Sequence, residues 1–376
     1  MSQPAEYPDY VTPRAPCWRR WSWALVVLWG AQLGAAFSLW PSERLRQDIW
    51  QLAAIVPLFW ALALALRHLV WRVGLFNRDA YRHSLGWAQQ AWWAQRRRGL
   101  PVDQVLLLGP VGDDPAQYRE LMADAATPLP TSTGEATALR YPWVNHEGEE
   151  RAVLLARQLA RQLLALPDVR EHASRWGALA WAGDAASLAA FTSACAEAGV
   201  MLPGTRLALN NLDDLSWLID AFHCPENTSI EEWLCAGVVS VGEGDSQTMP
   251  GEAGFVWLAN SKACQQVHRG EPLVPEPQAA ADSLCARVQL YAGLDGPPPH
   301  CATLGAKSLS AVALAGWPAS EHELSHLWGS LGALSAFICI SLALLQTQTT
   351  AAPCGWLCQL PDGQANIGVT SVYGND

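Results

Sequence analysis

Two long apolar segments near the start of the chain restrict most strongly what it can fold into. Residues 21–40 and 49–66 are uncharged over close to the ~20 residues that a helix needs to cross a bilayer. Tryptophans stand at the ends of both segments, as in the interfacial aromatic belts of membrane proteins. We therefore predict a transmembrane helical hairpin over residues 21–72, preceded by a short tail over residues 1–20.

Basic residues predict the orientation of this hairpin. Residues 1–99 contain 12 Lys and Arg and 5 Asp and Glu, and most of the arginines flank the hairpin rather than its turn. The positive-inside rule then places both ends in the cytoplasm. Residues 73–100, rich in arginine and tryptophan, predict an amphipathic juxtamembrane helix. Ten scattered cysteines predict free thiols in a reducing compartment, which agrees with this orientation.

The rest of the chain is acidic. Residues 100–376 contain 12 Lys and Arg against 30 Asp and Glu. A surface of this sign argues against nucleic acid as a partner, because phosphate contacts need positive charge. It suits a basic protein partner, and it equally suits simple solubility.

Apolar patterning predicts a layered α/β body over residues 101–376. Strands are predicted at 104–110, 176–183, 205–211, 234–242 and 253–259, helices at 118–126, 147–167, 184–200 and 213–222, a loop at 128–138 and a closing hairpin at 356–372. The apolar run 327–345 is also long enough to cross a bilayer, but its many small residues favour a tightly packed core helix.

The pentapeptide HELSH, residues 322–326, matches the zinc motif H-E-x-x-H. A catalytic zinc needs a third protein ligand. Gly332 stands where the metzincin peptidases have that ligand, and no Glu or His follows His326. We therefore predict a structural role, no metal and no cofactor. The alternative is a membrane zinc peptidase that uses His322, Glu323 and His326, with upstream His300 as another conceivable ligand.

Two segments resemble the β-ketoacyl synthases of the thiolase-like superfamily. Residues 235–263 contain PGEAG after a strand, and residues 325–345 contain a glycine-rich turn before a long apolar helix. The resemblance implies a thiolase-like layered fold and places His326 where the family has an active-site histidine. The family's nucleophilic cysteine is missing before the 213–222 helix, and Lys307 is the only counterpart of its lysine. We therefore predict a degenerate body, 101–376, that is not an enzyme.

The whole layout, an anchor followed by an acidic body rich in tryptophan, resembles membrane-associated immunity or accessory proteins of bacterial type VI secretion. That resemblance implies a binding protein in the bacterial inner membrane, with its body in the cytoplasm, that neutralises a basic toxin such as a nuclease. A toxin adaptor is the alternative. Exposed tryptophans and the acidic residues Asp213, Asp214, Glu231 and Glu232 are the candidate toxin-binding residues.

Overall fold

A computed structural model of the 376-residue chain describes most of the sequence. The described residues are 8–39, 42–123, 141, 150–167, 169–224, 232–241, 251–274, 276–305, 309–319, 321–360 and 363–372. The predicted loop 128–138 lies outside them.

Helices and strands alternate along the described part of the chain. The helices are α1 Trp18–Leu39, α2 Ser42–Arg96, α3 Pro115–Met122, α4 Glu150–Ala165, α5 Val169–His172, α6 Ala185–Glu197, α7 Leu212–Phe222, α8 Gln278–Tyr291, α9 Leu309–Leu314, α10 Ser325–Trp328 and α11 Ser335–Thr350. The strands are β1 Leu100–Leu108, β2 Trp176–Ala182, β3 Arg206–Ala208, β4 Glu232–Ser240, β5 Glu252–Asn260, β6 Gln265–Val267, β7 Glu271–Leu273, β8 His300–Leu304, β9 His322–Glu323, β10 Cys354–Gln359 and β11 Ala365–Val372.

The chain divides into two compact units, residues 1–92 and 93–376. In the first unit, α1 and α2 form a helical hairpin. The indole N–H of Trp29 donates to the Ala53 carbonyl at 2.9 Å, and that of Trp60 donates to the Trp21 carbonyl at 2.8 Å. The hairpin is therefore held in part by tryptophans that satisfy their polar atoms across the helix pair.

The membrane character of this unit is only partly supported. Of the described residues, Ala53–Arg96 within α2 is long and apolar enough to cross a bilayer, whereas α1 is not among the helices that pass that test. The segments on either side of the predicted boundary at residue 72 belong to one helix, since α2 runs unbroken from Ser42 to Arg96, and the position of the boundary stays a prediction. A two-span anchor remains unconfirmed.

The second unit is built on one mixed sheet. Within the described residues it has eleven strands in the order β3-β2-β4-β5-β1-β6-β11-β10-β8-β9, with β7 paired to β11. The pairs β2–β3, β2–β4, β8–β10 and β8–β9 are parallel, and the remaining pairs are antiparallel.

Helix α11 occupies the centre of this unit. Its residues from Ser335 to Thr347 are all buried, and it contacts strands from both halves of the sheet, including β5 and β10. A helix that is apolar on all sides needs such enclosure in a soluble body. The prediction that 327–345 contains a core helix is therefore confirmed.

Most predicted strands and helices lie where the sequence placed them, within a few residues at each end. The predicted core helix 327–345 is the exception, because the segment from HELSH onwards is not one continuous helix. His322 and Glu323 form β9, the short α10 follows, and α11 begins only at Ser335. Gly329 and Gly332 have positive φ angles of 62° and 56°, which a continuous helix cannot contain.

Candidate functional site

A cavity of about 470 Å³ opens between the start of α7 and the start of α11. Its size is within the range of small-ligand pockets. One part of its wall is polar and the other is apolar. The polar residues are Asn210, Asn211, Asp213, Gln364 and Asn366, and the others are Leu212, Gly270, Pro272, Ala333, Ala336 and Leu360. Such a wall combines hydrogen-bond donors and acceptors with a surface for an apolar group.

The first turn of α7 fixes the polar side of this cavity. The Asn211 side chain caps the helix by accepting a hydrogen bond from the Asp214 amide at 2.9 Å. The Asp214 carboxylate in turn accepts from the Asn210 amide at 2.7 Å. This reciprocal cap uses both side chains to satisfy backbone donors. Asp213 is exposed and lines the cavity.

A smaller cavity of about 270 Å³ shares Leu360 with the first. The segment from Trp328 to Leu331 forms part of its wall. A Cβ atom on Gly251 would lie 2.4 Å from the Trp328 carbonyl oxygen, so only glycine allows this approach. Gly251 and the glycine-rich turn, which belong to the two segments that resemble the ketoacyl synthases, therefore pack against each other beside this cavity.

Glu252 anchors the strand that follows Gly251. Its carboxylate accepts hydrogen bonds from the Arg151 guanidinium, from Ser240 Oγ at 2.9 Å and from the Tyr141 amide at 3.2 Å. Burial by itself raises the pKa of Glu252, but the Arg151 and Ser240 hydrogen bonds and the Arg151 charge lower it below its ordinary value. The carboxylate is a structural anion rather than part of the cavity wall.

The four acidic candidates for toxin binding have different surroundings. Asp213 is exposed, while Asp214 is half-buried and engaged in the helix cap. Glu232 is only 6% exposed, with His172 Nδ1 at 3.8 Å and Arg175 at 3.9 Å from its carboxylate. Glu231 lies outside the described residues. Of the three that the structure describes, Asp213 is therefore the one that a docking partner can reach directly.

Trp217 is a binding candidate that sequence reasoning did not single out. It lies one helical turn after Asp213 on α7 and is 56% exposed. The spacing of four residues puts both side chains on the same face of the helix. The spacing of Asp213 and Trp217 can be read from the sequence, but only the fold shows which tryptophans of the body remain exposed.

The backbone of the HELSH residues does not form one helix. The motif needs both histidines one turn apart on a helix, and His322 instead lies in β9. The side chains of Glu323 and His326 are outside the described part of the structure, as is Lys307. His322 is grouped instead with His300 and Glu321, with ligand atoms within 4.8 Å of one another. No known metal-binding motif has the spacing of His300, Glu321 and His322, so the sequence did not indicate this group.

All ten cysteines are free thiols, as their scattered positions predicted. Four lie close to α11 in the core: Cys301, Cys339, Cys354 and Cys358. Burial raises the pKa of Cys301 and of Cys358 to about 12, and it raises the pKa of Cys339 well above its usual range. These thiols are therefore protonated and poorly nucleophilic at neutral pH.

No protein-family model and no curated protein matches the chain. Solved structures similar to it include the ishigamide ketosynthase/chain length factor, at 14% identity over 73% of this chain and 99% of that chain, with a TM-score of 0.48. A variant of Xanthomonas campestris OleA is 10% identical over 73% of this chain and 98% of that chain, with a TM-score of 0.45. The oxazolomycin ketosynthase domain of Streptomyces albus is 14% identical over 73% and 95%, with a TM-score of 0.44.

The mixed α/β architecture that the sequence led us to expect is confirmed by the sheet and helices of the second unit. At this similarity no residue role is carried over to the chain. The expectation that the chain is not an enzyme is not upheld: the similar structures are a ketosynthase/chain length factor, a ketosynthase domain and an acyltransferase. That expectation rested on the absence of the family's nucleophilic cysteine, and the absence of one nucleophile does not exclude catalysis.

Proposed function

We propose that this chain is a membrane-associated protein that binds a basic toxin of a type VI secretion system, as its immunity protein or as its adaptor. The observation that carries the proposal is the exposed pair Asp213 and Trp217 on α7. Tryptophan is the residue type most enriched among interface hot spots, and an adjacent carboxylate gives a basic partner its orientation.

Charge complementarity favours a basic partner. Residues 100–376 contain 30 Asp and Glu against 12 Lys and Arg, so the body attracts a basic protein over distances of about 10 Å at 0.1 M salt. The same charge disfavours nucleic acid, whose phosphates repel an acidic surface.

Exposed apolar side chains on the helical hairpin favour association with a membrane. Large apolar residues of α1 and α2 that are exposed in the described structure are Trp18, Trp23, Val26, Val27, Leu28, Trp29, Phe37, Ile55, Leu58, Phe59, Leu62, Leu66, Leu69, Val70, Val73, Phe76 and Trp87. A surface of this kind is unfavourable in water and suited to lipid. The arginines around the hairpin favour an inner-membrane location with the body in the cytoplasm.

Binding to a basic type VI secretion toxin tests the proposal. The full chain in detergent is immobilised, and the affinity of an inactive form of the toxin is measured. We expect Trp217→Ala to weaken binding at least about tenfold, as loss of a hot-spot aromatic does. Leu314→Ala, which truncates another exposed apolar side chain, is the matched control and should leave the affinity unchanged. Equal affinity of the Trp217 variant and the parent would refute this surface as the docking site.

Co-expression separates the two roles. An immunity protein rescues cells that produce the toxin, whereas an adaptor changes only how much toxin is exported. Rescue by the parent chain, lost in Trp217→Ala, supports immunity. If Trp217→Ala instead reduces the amount of toxin exported and cell survival does not change, the result supports the adaptor role.

The 470 Å³ cavity favours a second candidate function, binding of an acyl thioester. Its amide and carboxylate side chains can hydrogen-bond a polar ligand, and its apolar wall can hold the start of an acyl chain. An acyl-thioester analogue that carries a photoreactive group should label peptides around Asn211 and Leu360. Ala336→Leu, which narrows the cavity, should abolish that labelling, whereas the distant Ala279→Leu should not.

A further inference from the structure

Two parallel strands at one end of the sheet bring three metal-ligating side chains together. His300 is the first residue of β8, and His322 is the first residue of β9. The strands are paired in parallel, with Ala302 opposite His322. Because parallel strands begin at the same edge of a sheet, His300, His322 and the preceding Glu321 meet there.

The distances from Glu321 to the two histidines are those of atoms that bind one ion together, and they are longer than hydrogen bonds. Glu321 Oε2 lies 3.6 Å from His300 Nδ1 and 3.9 Å from His322 Nε2. Both separations are too long for a hydrogen bond. Ligand atoms bound to a tetrahedral zinc at 2.0–2.2 Å are roughly 3.4 Å apart, so both Glu321 separations are close to that spacing, and all three ligand atoms lie within 4.8 Å of one another.

The surroundings are those of a half-enclosed site. His322 is only 6% exposed, whereas the Glu321 side chain is 37% exposed and leaves one side open to solvent. His300 Nδ1 is inaccessible to solvent and has no hydrogen-bond partner among the described residues. A buried ring nitrogen without a partner is unfavourable, and a metal ion on the side of Glu321 would satisfy it.

We propose that His300, Glu321 and His322 bind one divalent transition-metal ion, with zinc as the first candidate. Two imidazoles and one carboxylate are a ligand set that zinc accepts, and water from the open side supplies the fourth position. The ion would join the short edge strand β9 to β8. This site differs from the H-E-x-x-H alternative, since it uses His300 and Glu321 and does not use Glu323 or His326.

Titration with Co²⁺ tests the site directly. The full chain in detergent is stripped with a chelator and titrated with Co²⁺, whose visible d–d absorption reports tetrahedral nitrogen and oxygen ligands. We expect one Co²⁺ per chain, displaced by Zn²⁺, and a rise in the thermal midpoint of unfolding on binding, because the ion binds the folded state. Absence of saturable d–d absorption on addition of Co²⁺ refutes the proposal.

Single variants assign the ligands. His300→Ala and Glu321→Gln should each weaken Co²⁺ binding at least about tenfold, as changes in and around metal ligands do. Glu321 is partly exposed, so its variant is expected to fold even if the variant of buried His322 does not, and circular dichroism checks this. His326→Ala should bind Co²⁺ as the parent does. Loss of binding in His326→Ala with retention in His300→Ala would refute this ligand set.

A thiolate ligand would also be visible. Cys354 is opposite His300 in the paired strands β8 and β10 but is not part of the group. A sulfur-to-cobalt charge-transfer band in the near ultraviolet would therefore contradict the proposed ligands. Binding of a toxin is measured without added metal, so failure of this site and failure of the proposed function are separate results.

Discussion

At the scale of single residues, the buried pair Arg151 and Glu252 is the most consequential electrostatic contact of the body. Both side chains are almost fully enclosed, at 5% and 1% exposure, and Glu252 also accepts from Ser240 and Tyr141. The pair connects α4 to the start of β5, close to the cavity wall at Gly251. Removing one partner leaves an uncompensated buried charge, which is strongly destabilising.

We expect Glu252→Gln to lower the free energy of unfolding by about 3–5 kcal/mol at neutral pH, because the Arg151 charge loses its partner. Denaturant unfolding of the full chain in detergent measures this change. Glu120→Gln, at an exposed position of α3, is the matched control and should change stability by less than about 0.5 kcal/mol.

The same variant predicts a pH dependence. The pKa of Glu252 is lower in the folded than in the unfolded chain, so its contribution is present above the ordinary value of 4.5 and is lost as pH falls through the folded value. The stability difference between parent and Glu252→Gln should therefore shrink in that acid range. A difference that stays constant from neutral to acid pH would show that the charge is not the cause.

The thiols give a prediction about reactivity. Burial raises the pKa of Cys301 and Cys358, whereas Cys17 and Cys264 are exposed. Iodoacetamide should therefore alkylate Cys17 and Cys264 in the native chain at neutral pH, and Cys301 and Cys358 only after denaturation. Peptide mass spectrometry measures both. Rapid native alkylation of Cys358 would mean that α11 does not enclose it.

At the scale of elements, α11 shows how a run with the hydropathy of a membrane span serves as a core helix. Ser341 on α11 accepts a hydrogen bond from the Trp257 indole at 2.8 Å, and Phe337 stacks on Phe255 at 5.6 Å. These contacts to β5 fix the helix in one orientation, which lipid could not do.

We expect Ala343→Leu in α11 to destabilise the body by about 1–3 kcal/mol, since Ala343 is fully buried and extra methylenes overpack a core. Ala279→Leu at an exposed position of α8 is the control with the same chemistry and should be nearly neutral. Thermal unfolding compares the two. In a lipid-facing helix Ala343→Leu would be harmless. An unchanged stability would therefore indicate that α11 faces lipid and not a protein core.

At the scale of the whole molecule, the chain combines a basic N-terminal part with an acidic remainder. Residues 1–99 contain 12 Lys and Arg against 5 Asp and Glu, and the remainder is strongly acidic. A basic, apolar first unit favours anionic lipid, while an acidic second unit is repelled by it and remains available to a partner.

The full chain is therefore expected to float with anionic lipid vesicles after removal of detergent. Replacing Phe59 and Leu62 of α2 by aspartate should reduce the bound fraction strongly, because charges in the apolar core of a bilayer are costly. Leu314→Asp, on the body, is the control and should float like the parent. Unchanged flotation of the double variant would place the lipid contact outside α2.

Local patterning determined much of what is now observed. Periodicity located α4, α6 and α7 and strands such as β2 and β5, since those segments have one buried face or are wholly buried. Small residues in 327–345 correctly favoured a core helix. The apolar run after HELSH, however, led us to extend that helix too far towards the N-terminus, because hydropathy does not show where the positive φ angles of Gly329 and Gly332 interrupt it.

The sequence by itself determined the apolar hairpin, the acidic body and the alternation of strands and helices, because each is a property of neighbouring residues. Only the tertiary structure decided that His322 meets His300 and Glu321, that Glu232 is buried, and that Trp217 remains exposed. Those outcomes depend on which strands pair and which helix faces are covered. Strand pairing brings together residues that are far apart in the chain, and the spacing of neighbouring residues does not predict which strands pair.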